Sequence, residues 1–245
     1  MAQLIIDIGN SSAKVALFEK DTLVESFHAE HDELHYLLAE KAGDTSITSA
    51  IVSSVIPLGE AVEEAVASLP YPCLRMSAKL KMPFCIAYKT PETLGPDRLA
   101  AVAEARMQKP DHDLLVIDVG TAITYDLVTA DGVYLGGNIA PGIGMRFKAL
   151  HHFTGKLPLV SKEGERVAMG DTTETAIREG VLQGVSYEIE GYIRTCENKY
   201  PHLLVFLTGG GANLLDNQTK SRTFADSLLV LKGLNRILTL NDENI

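Results

Sequence analysis

The segment Leu4-Ile5-Ile6-Asp7-Ile8-Gly9-Asn10 returns 111 positions later as Leu115-Val116-Ile117-Asp118-Val119-Gly120-Thr121. Each copy is an apolar run of strand length closed by an aspartate and a glycine turn. Each is followed by a segment that reads as the return strand of a hairpin, Lys14 to Phe18 in the first half and Ala122 to Val128 in the second. A strand-turn-strand unit at the head of each half of a 245-residue chain is what two similar α/β domains facing one cleft would produce. The boundary falls near Asp111 to Asp113, so the expected domains are residues 1–112 and 113–245.

Strands alternate with helices through both halves, as in an α/β fold. Thr22 to His28 extends the first hairpin, His31 to Lys41 and Gly59 to Leu69 have helical spacing, and Ile47 to Val55 and Cys73 to Met76 read as strands. Pro83, Pro91 and Pro96 bound an extended loop before a helix over Asp97 to Gln108. In the second half Val133 to Asn138 reads as a strand and Gly142 to His152 as a short helix. A long helix from Thr173 to Asn198 carries Ile177, Val181, Val185, Ile189 and Ile193 on one stripe, suited to a core or a dimer contact. Leu203 to Leu207 is a buried strand running into Thr208-Gly209-Gly210-Gly211-Ala212-Asn213, and a helix and a final strand near Leu228 to Leu231 are expected to finish the domain.

Composition narrows the function classes. A formal charge of −10 repels phosphates at long range, which argues against non-specific nucleic-acid binding, so any anion bound here needs a local site. The N-terminus lacks the basic start and long apolar stretch of a signal peptide, and no run reaches the roughly 18 apolar residues of a membrane span. Cys73, Cys85 and Cys196 form no Cys-x-x-Cys pair. A cytoplasmic chain with no membrane partner is the expectation.

Three glycine turns follow apolar strands, at Asp7-Ile8-Gly9-Asn10-Ser11, Asp118-Val119-Gly120-Thr121 and Thr208-Gly209-Gly210-Gly211. Glycine lets backbone approach a ligand closely, and turn N–H groups and hydroxyls offer hydrogen bonds to phosphate oxygens. An aspartate beside such a turn makes sense if a cation lies between it and the phosphates. Taken singly, an Asp-x-Gly is an ordinary strand turn with a capping aspartate. No Gly-x-x-x-x-Gly-Lys-Ser/Thr, protein-kinase signature or Gly-x-Gly-x-x-Gly occurs.

The paired Asp-Gly strands and late Gly-Gly-Gly resemble the superfamily of acetate and sugar kinases, heat-shock chaperones and actin. At closer range Gly95-Pro96-Asp97-Arg98, Asp118-Val119-Gly120-Thr121-Ala122-Ile123-Thr124, Gly136-Gly137-Asn138-Ile139-Ala140-Pro141-Gly142 and Thr173-Glu174-Thr175-Ala176-Ile177 resemble type III pantothenate kinase. That resemblance implies two similar ribonuclease-H-like, actin-like ATPase domains with a central cleft. The first would carry the phosphate and substrate loops, and the second the cation and adenosine sites. It further implies ATP-dependent phosphorylation of pantothenate to 4′-phosphopantothenate, the first step of coenzyme A synthesis, by a homodimer that needs a divalent and a monovalent cation.

Phosphoryl transfer needs the γ-phosphate neutralised, the acceptor hydroxyl held in line and a group to receive its proton. Chemistry and resemblance together make Asp97 the candidate base, with Arg98 gripping the substrate carboxylate and Gly95, Pro96, Tyr88 and Thr173 completing the substrate contacts. Asp7 would hold Mg²⁺ directly or through water, while Ile8, Gly9, Asn10, Ser11, Ser12, Ala13 and Lys14 surround the β- and γ-phosphates. The resemblance makes Asp118 the ligand of a monovalent cation, K⁺ or NH₄⁺, and Thr121 an ATP contact. It sets Gly209, Gly210, Gly211 and Ala212 against the adenosine.

Ser11 stands where the family usually has Thr, Pro96 where Ala is common, and Thr172 where an Asn precedes Thr173. Pro96 removes one N–H and stiffens the approach to Asp97, and Thr172 bears on how the long helix meets substrate. His31 and His35, four apart on an expected helix, lack a third partner beyond Glu33 and are not taken as a metal site. Two alternatives stay open: a non-catalytic regulatory relative that binds a nucleotide or acidic ligand, and another enzyme of the superfamily. Loss of Asp7, Asp97 or Asp118 would favour the first, and a different Gly95 to Arg98 segment the second.

Overall fold

The computed structural model describes residues 1–211 and 223–242. They fall into two compact units, Met1–Pro110 with Gly132–Leu135 and Leu228–Ile245, and Asp111–Asp131 with Gly136–Ser227.

The first unit opens with β1 (Ala2–Ile8), β2 (Ala13–Glu19) and β3 (Thr22–Ala29), an antiparallel meander, followed by α1 (Leu34–Ala42), β4 (Ile47–Ser54), α2 (Glu60–Ala67) and β5 (Cys73–Arg75). The sheet order is β3-β2-β1-β4-β5, with β4 parallel to β1 and β5 parallel to β4. Because β1 is central and covered on both faces, its apolar run is nearly continuous rather than alternating. Leu4, Ile6 and Ile8 enter a core with Leu34 and Leu38 of α1 and Val62 and Val66 of α2. Ile5 is buried on the opposite face. That face is covered by α6 (Leu229–Asn241), whose Thr239 hydroxyl bonds the Gln3 side chain at 3.3 Å, and by α3 (Pro96–Gln108). Between β5 and α3 run a two-residue strand β6 (Cys85–Ile86), paired with Val133 and Tyr134, and a single 3₁₀ turn at Pro91–Thr93.

α3 and α6 approach through small residues. Ala100, Ala101, Ala103 and Ala105 of α3 are buried, and a Cβ on Gly233 of α6 would collide with the Ala100 carbonyl oxygen. The strand expected near Leu228 to Leu231 is therefore corrected to the start of a helix. A short apolar run fits either element, and its continuation through Leu234, Ile237 and Leu238, all buried, carries the helical period. This helix belongs with the first unit, whereas a cut at 112/113 assigns it to the second.

The second half of the chain repeats the plan with β7 (Leu114–Val119), β8 (Ala122–Val128), β9 (Val133–Pro141), α4 (Ile143–His152), α5 (Thr173–Lys199), β10 (Leu204–Thr208) and β11 (Thr223–Ala225), in a six-stranded sheet of order β11-β10-β7-β8-β9-β6 whose β9 starts within the Gly132–Leu135 segment of the first unit. Apart from the added edge strand β6, the order matches that of the first sheet, so the duplicated heptapeptide is the visible part of a duplicated topology. The stripe Ile177, Val181, Val185, Ile189 and Ile193 is core, packed with Leu115, Ile117, Val205 and Leu207. Among the described residues no helix is long and apolar enough to cross a membrane.

Candidate active site

In the first unit the site begins at the end of β1. Side chains alternate along a strand, so Asp7 shares the face of Gln3 and Ile5, the face covered by α3. Lys14 lies opposite Asp7 on β2 and Ser53 beside it on β4. The Ser53 hydroxyl donates to Asp7 Oδ1 at 3.2 Å. Beyond Ile8 the chain folds tightly, the Gly9 N–H donating to the Ser12 carbonyl at 3.0 Å, which leaves Asn10 and Ser11 exposed at the turn. His31 donates from Nε2 to the Gly9 carbonyl at 3.0 Å. This tie from 22 residues away was not legible in the sequence, where His31 offered only a pairing with His35.

Asp97 sits in the first turn of α3, one residue after Pro96 at the helix start, with Gly95 as N-cap. Proline suits that place because its missing N–H has no helical partner there. The Asp97 carboxylate folds back, Oδ1 accepting from the Arg98 N–H at 2.8 Å. Gly95 leaves room for this carboxylate, since a Cβ there would stand 2.6 Å from that same oxygen and push the Asp97 side chain aside. Arg98 is buried and runs alongside Gly95. Tyr88 lies in the extended segment after β6, its ring 6.3 Å from that of the buried Tyr134, which also meets Phe84 at 5.9 Å.

Burial, and next the negative charge of Asp97, push the Asp7 carboxyl up to about 6, against the lowering effects of the Ser53 hydroxyl and Lys14. A carboxylate that keeps its proton this long is one that a cation would discharge. Magnesium is commonly held by one or two carboxylates, with phosphate and water oxygens filling its other positions, so the residues present fit a divalent ion.

The second unit places Asp118 at the matching point of β7, beside Thr208 of β10 as Asp7 is beside Ser53. Gly209 has φ +86, and a Cβ there would run into Asp118 Oδ1. The Gly211 N–H donates to the Val119 carbonyl at 3.0 Å, and its own Cβ would press on the Val119 side chain, whereas a Cβ on Gly210 would meet nothing. Thr121 is exposed at the β7–β8 turn. Gly120, Gly210 and Gly211 edge a cavity of about 620 Å³ whose apolar wall is Val119, Ile143, Phe147, Leu159 and Val160, with Lys148 and Lys162 at its rim. That volume lies in the range of small-molecule sites. The pocket walls were missed because α4 and the segment after it carry no motif. Ala212 and Asn213 lie outside the described residues.

Thr173 is exposed at the start of α5 and lines a separate groove with Arg146, Leu150, Phe153 and Ile177. Thr172 is the N-cap of α5: its hydroxyl accepts from the Thr175 N–H at 3.1 Å while the Thr175 hydroxyl accepts from the Thr172 N–H at 3.0 Å. Threonine and asparagine both cap helices, so the departure at 172 keeps the helix start intact.

The chain matches the type III pantothenate kinase family over residues 3–195. It is 52% identical over 242 residues to the type III pantothenate kinase of Bacteroides fragilis strain YCH46, covering 99% of each chain. It is 51% identical over 240 residues to that of Phocaeicola vulgatus, covering 98% of this chain and 99% of the relative. Among solved structures, the activator of 2-hydroxyisocaproyl-CoA dehydratase from Clostridium difficile, with bound ADPNP, superposes at TM-score 0.54 and 12% identity, covering 99% of this chain and 95% of that one. The inorganic polyphosphate/ATP-glucomannokinase of Arthrobacter sp. strain KM does so at 0.53 and 16%, covering 99% of both. These structural likenesses establish a two-domain fold of the actin-like ATPase and sugar-kinase kind. From the sequence match over nearly its whole length, the chain belongs to the type III pantothenate kinase family.

Proposed function

We propose that the family's reaction, ATP-dependent phosphorylation of pantothenate to 4′-phosphopantothenate at the head of coenzyme A biosynthesis, is performed here with Asp97 as the general base. The observation that carries this is the Asp97 carboxylate, folded back over Gly95 at the start of α3 and close enough to raise the Asp7 pKa. The Arg98 N–H and the helix N-terminus both stabilise a negative carboxylate, the form that accepts a proton. Asp97 takes the proton of the pantothenate hydroxyl as the γ-phosphoryl group arrives. Arg98 grips the substrate carboxylate, and Tyr88, Gly95, Pro96 and Thr173 shape its site.

The turn from Ile8 through Ala13, with Lys14 across the strand, holds the β- and γ-phosphates. Asp7 would hold Mg²⁺, directly or through water, where the ion would supply positive charge against the phosphates. In the second unit Asp118 would hold K⁺ or NH₄⁺, and Thr121 with Gly209, Gly210 and Gly211 would contact the nucleotide at the apolar cavity. The first domain thus supplies phosphate and substrate loops and the second the cation and adenosine sites. The working form is a cytoplasmic homodimer: the exposed Phe153 beside the α4–α5 groove supports self-association, and the three free cysteines suit a reducing compartment.

The test is a coupled ADP-release assay with ATP, Mg²⁺ and K⁺, run with and without pantothenate, the product weighed by mass spectrometry. Pantothenate-dependent release is expected. Asp97→Asn is expected to lower kcat by about 10²- to 10⁴-fold while calorimetry still shows both ligands bound. Full activity in that variant would remove Asp97 as the base, and no turnover in the parent protein would favour the regulatory reading.

A further inference from the structure

Arg146 of α4 is tied at both ends. Its Nε donates to the Pro141 carbonyl at 2.7 Å and its Nη2 to Glu188 Oε2 at 2.6 Å, with both charged side chains largely shielded from solvent. Glu188 is fixed in turn by the Tyr125 hydroxyl, which donates to Oε1 at 2.7 Å, and the Tyr125 ring stacks on Tyr192 at 3.9 Å. The carbonyl that Arg146 holds belongs to Pro141, the last residue of β9, next to the Gly142 that props the loop after β7. The Gly142 N–H donates to the Thr121 carbonyl at 3.0 Å, and a Cβ on Gly142 would collide with the carbonyl oxygens of Gly120 and Thr121. Backbone therefore rests on backbone, and a shift of Pro141-Gly142 passes directly to Gly120-Thr121.

We propose that Arg146 and Glu188 are positioning residues for the Gly120–Thr121 loop, setting how that loop meets the monovalent cation and the nucleotide. The inference rests on the reading of Asp118 and Thr121 as contacts to that cation and to ATP. Neither side chain needs to touch a ligand. Arg146 holds two acceptors at once with a planar fork, a geometry lysine cannot copy, so charge alone does not satisfy the role.

The measurement is steady-state kinetics of the full-length protein with Arg146→Lys, Glu188→Gln and Tyr125→Phe, titrating MgATP, K⁺ and pantothenate separately and recording melting temperatures. Arg146→Lys and Glu188→Gln are expected to raise the half-saturating concentrations of K⁺ and MgATP about three- to tenfold, the scale of a weakened charge-assisted hydrogen bond, with a smaller change in the pantothenate KM, since Arg146 also lines the groove that holds Thr173. Tyr125→Phe is expected to shift the same two constants in the same direction by less. A lowered melting temperature with every constant unchanged would make the tie purely structural and overturn the proposal. Equal loss toward all three ligands would overturn it too. Asp118→Asn separates the two levels. If it leaves K⁺ activation intact, the assignment of Asp118 falls, and unchanged MgATP constants in Arg146→Lys would then defeat the positioning role independently.

Discussion

Asp7 keeps its proton up to about pH 6 because its ionised form is poorly solvated and faces a second carboxylate. Its ordinary value is 3.8, so between about pH 4 and 6 the folded chain binds more protons here than the unfolded chain. The contribution of Asp7 to stability therefore falls as pH rises through that window, and above it the charge costs up to about 3 kcal/mol. Asp7→Asn is expected to melt a few degrees higher than the parent at pH 7.5 and to lose that advantage by pH 4, while phosphoryl transfer is lost. Calorimetry at the two pH values checks it, and a gain that persists at pH 4 would contradict the assignment. The glycine triplet divides at the same scale. Gly209→Ala meets a positive φ and the Asp118 carboxylate, and is expected to reduce activity by at least about tenfold, whereas Gly210→Ala meets open space and should stay within about twofold of the parent. Parallel assays at saturating and limiting ATP distinguish the two.

At the level of elements, the contact of α3 with α6 sets where Asp97 stands. Alanines on one helix and Gly233 on the other bring the backbones together. Gly233→Val is expected to cost about 2–4 kcal/mol, read as a lower urea midpoint at unchanged slope. Gly184→Ala in α5, where a Cβ meets nothing, is the counterpart and should stabilise by up to about 1 kcal/mol. The two helices differ in legibility for a physical reason. α5 shows its period because a 27-residue helix repeats its stripe many times over a single core. The entry to α6, from its N-cap Leu228 to Leu231, is four apolar residues in a row, and only the run to Asn241 separates helix from strand.

For the whole molecule, the C-terminal helix belongs with the unit that the N-terminus begins. A fragment of residues 1–112 leaves the Ile5 face of β1 without α6 and is expected to melt without a cooperative transition. Circular dichroism of that fragment beside the intact protein decides it, and a sharp melt would show α6 to be dispensable. Strand-turn heads, the long helix, the glycine turns and the family were all legible in the sequence, because each is set by local periodicity or by a short ordered motif. Four things were not: the tie from His31 to Gly9, Ser53 and Thr208 paired in register with the two aspartates, the apolar walls of the cavity and the place of α6. Each joins residues far apart in the chain, so only the pairing of strands and the packing of helices decided them.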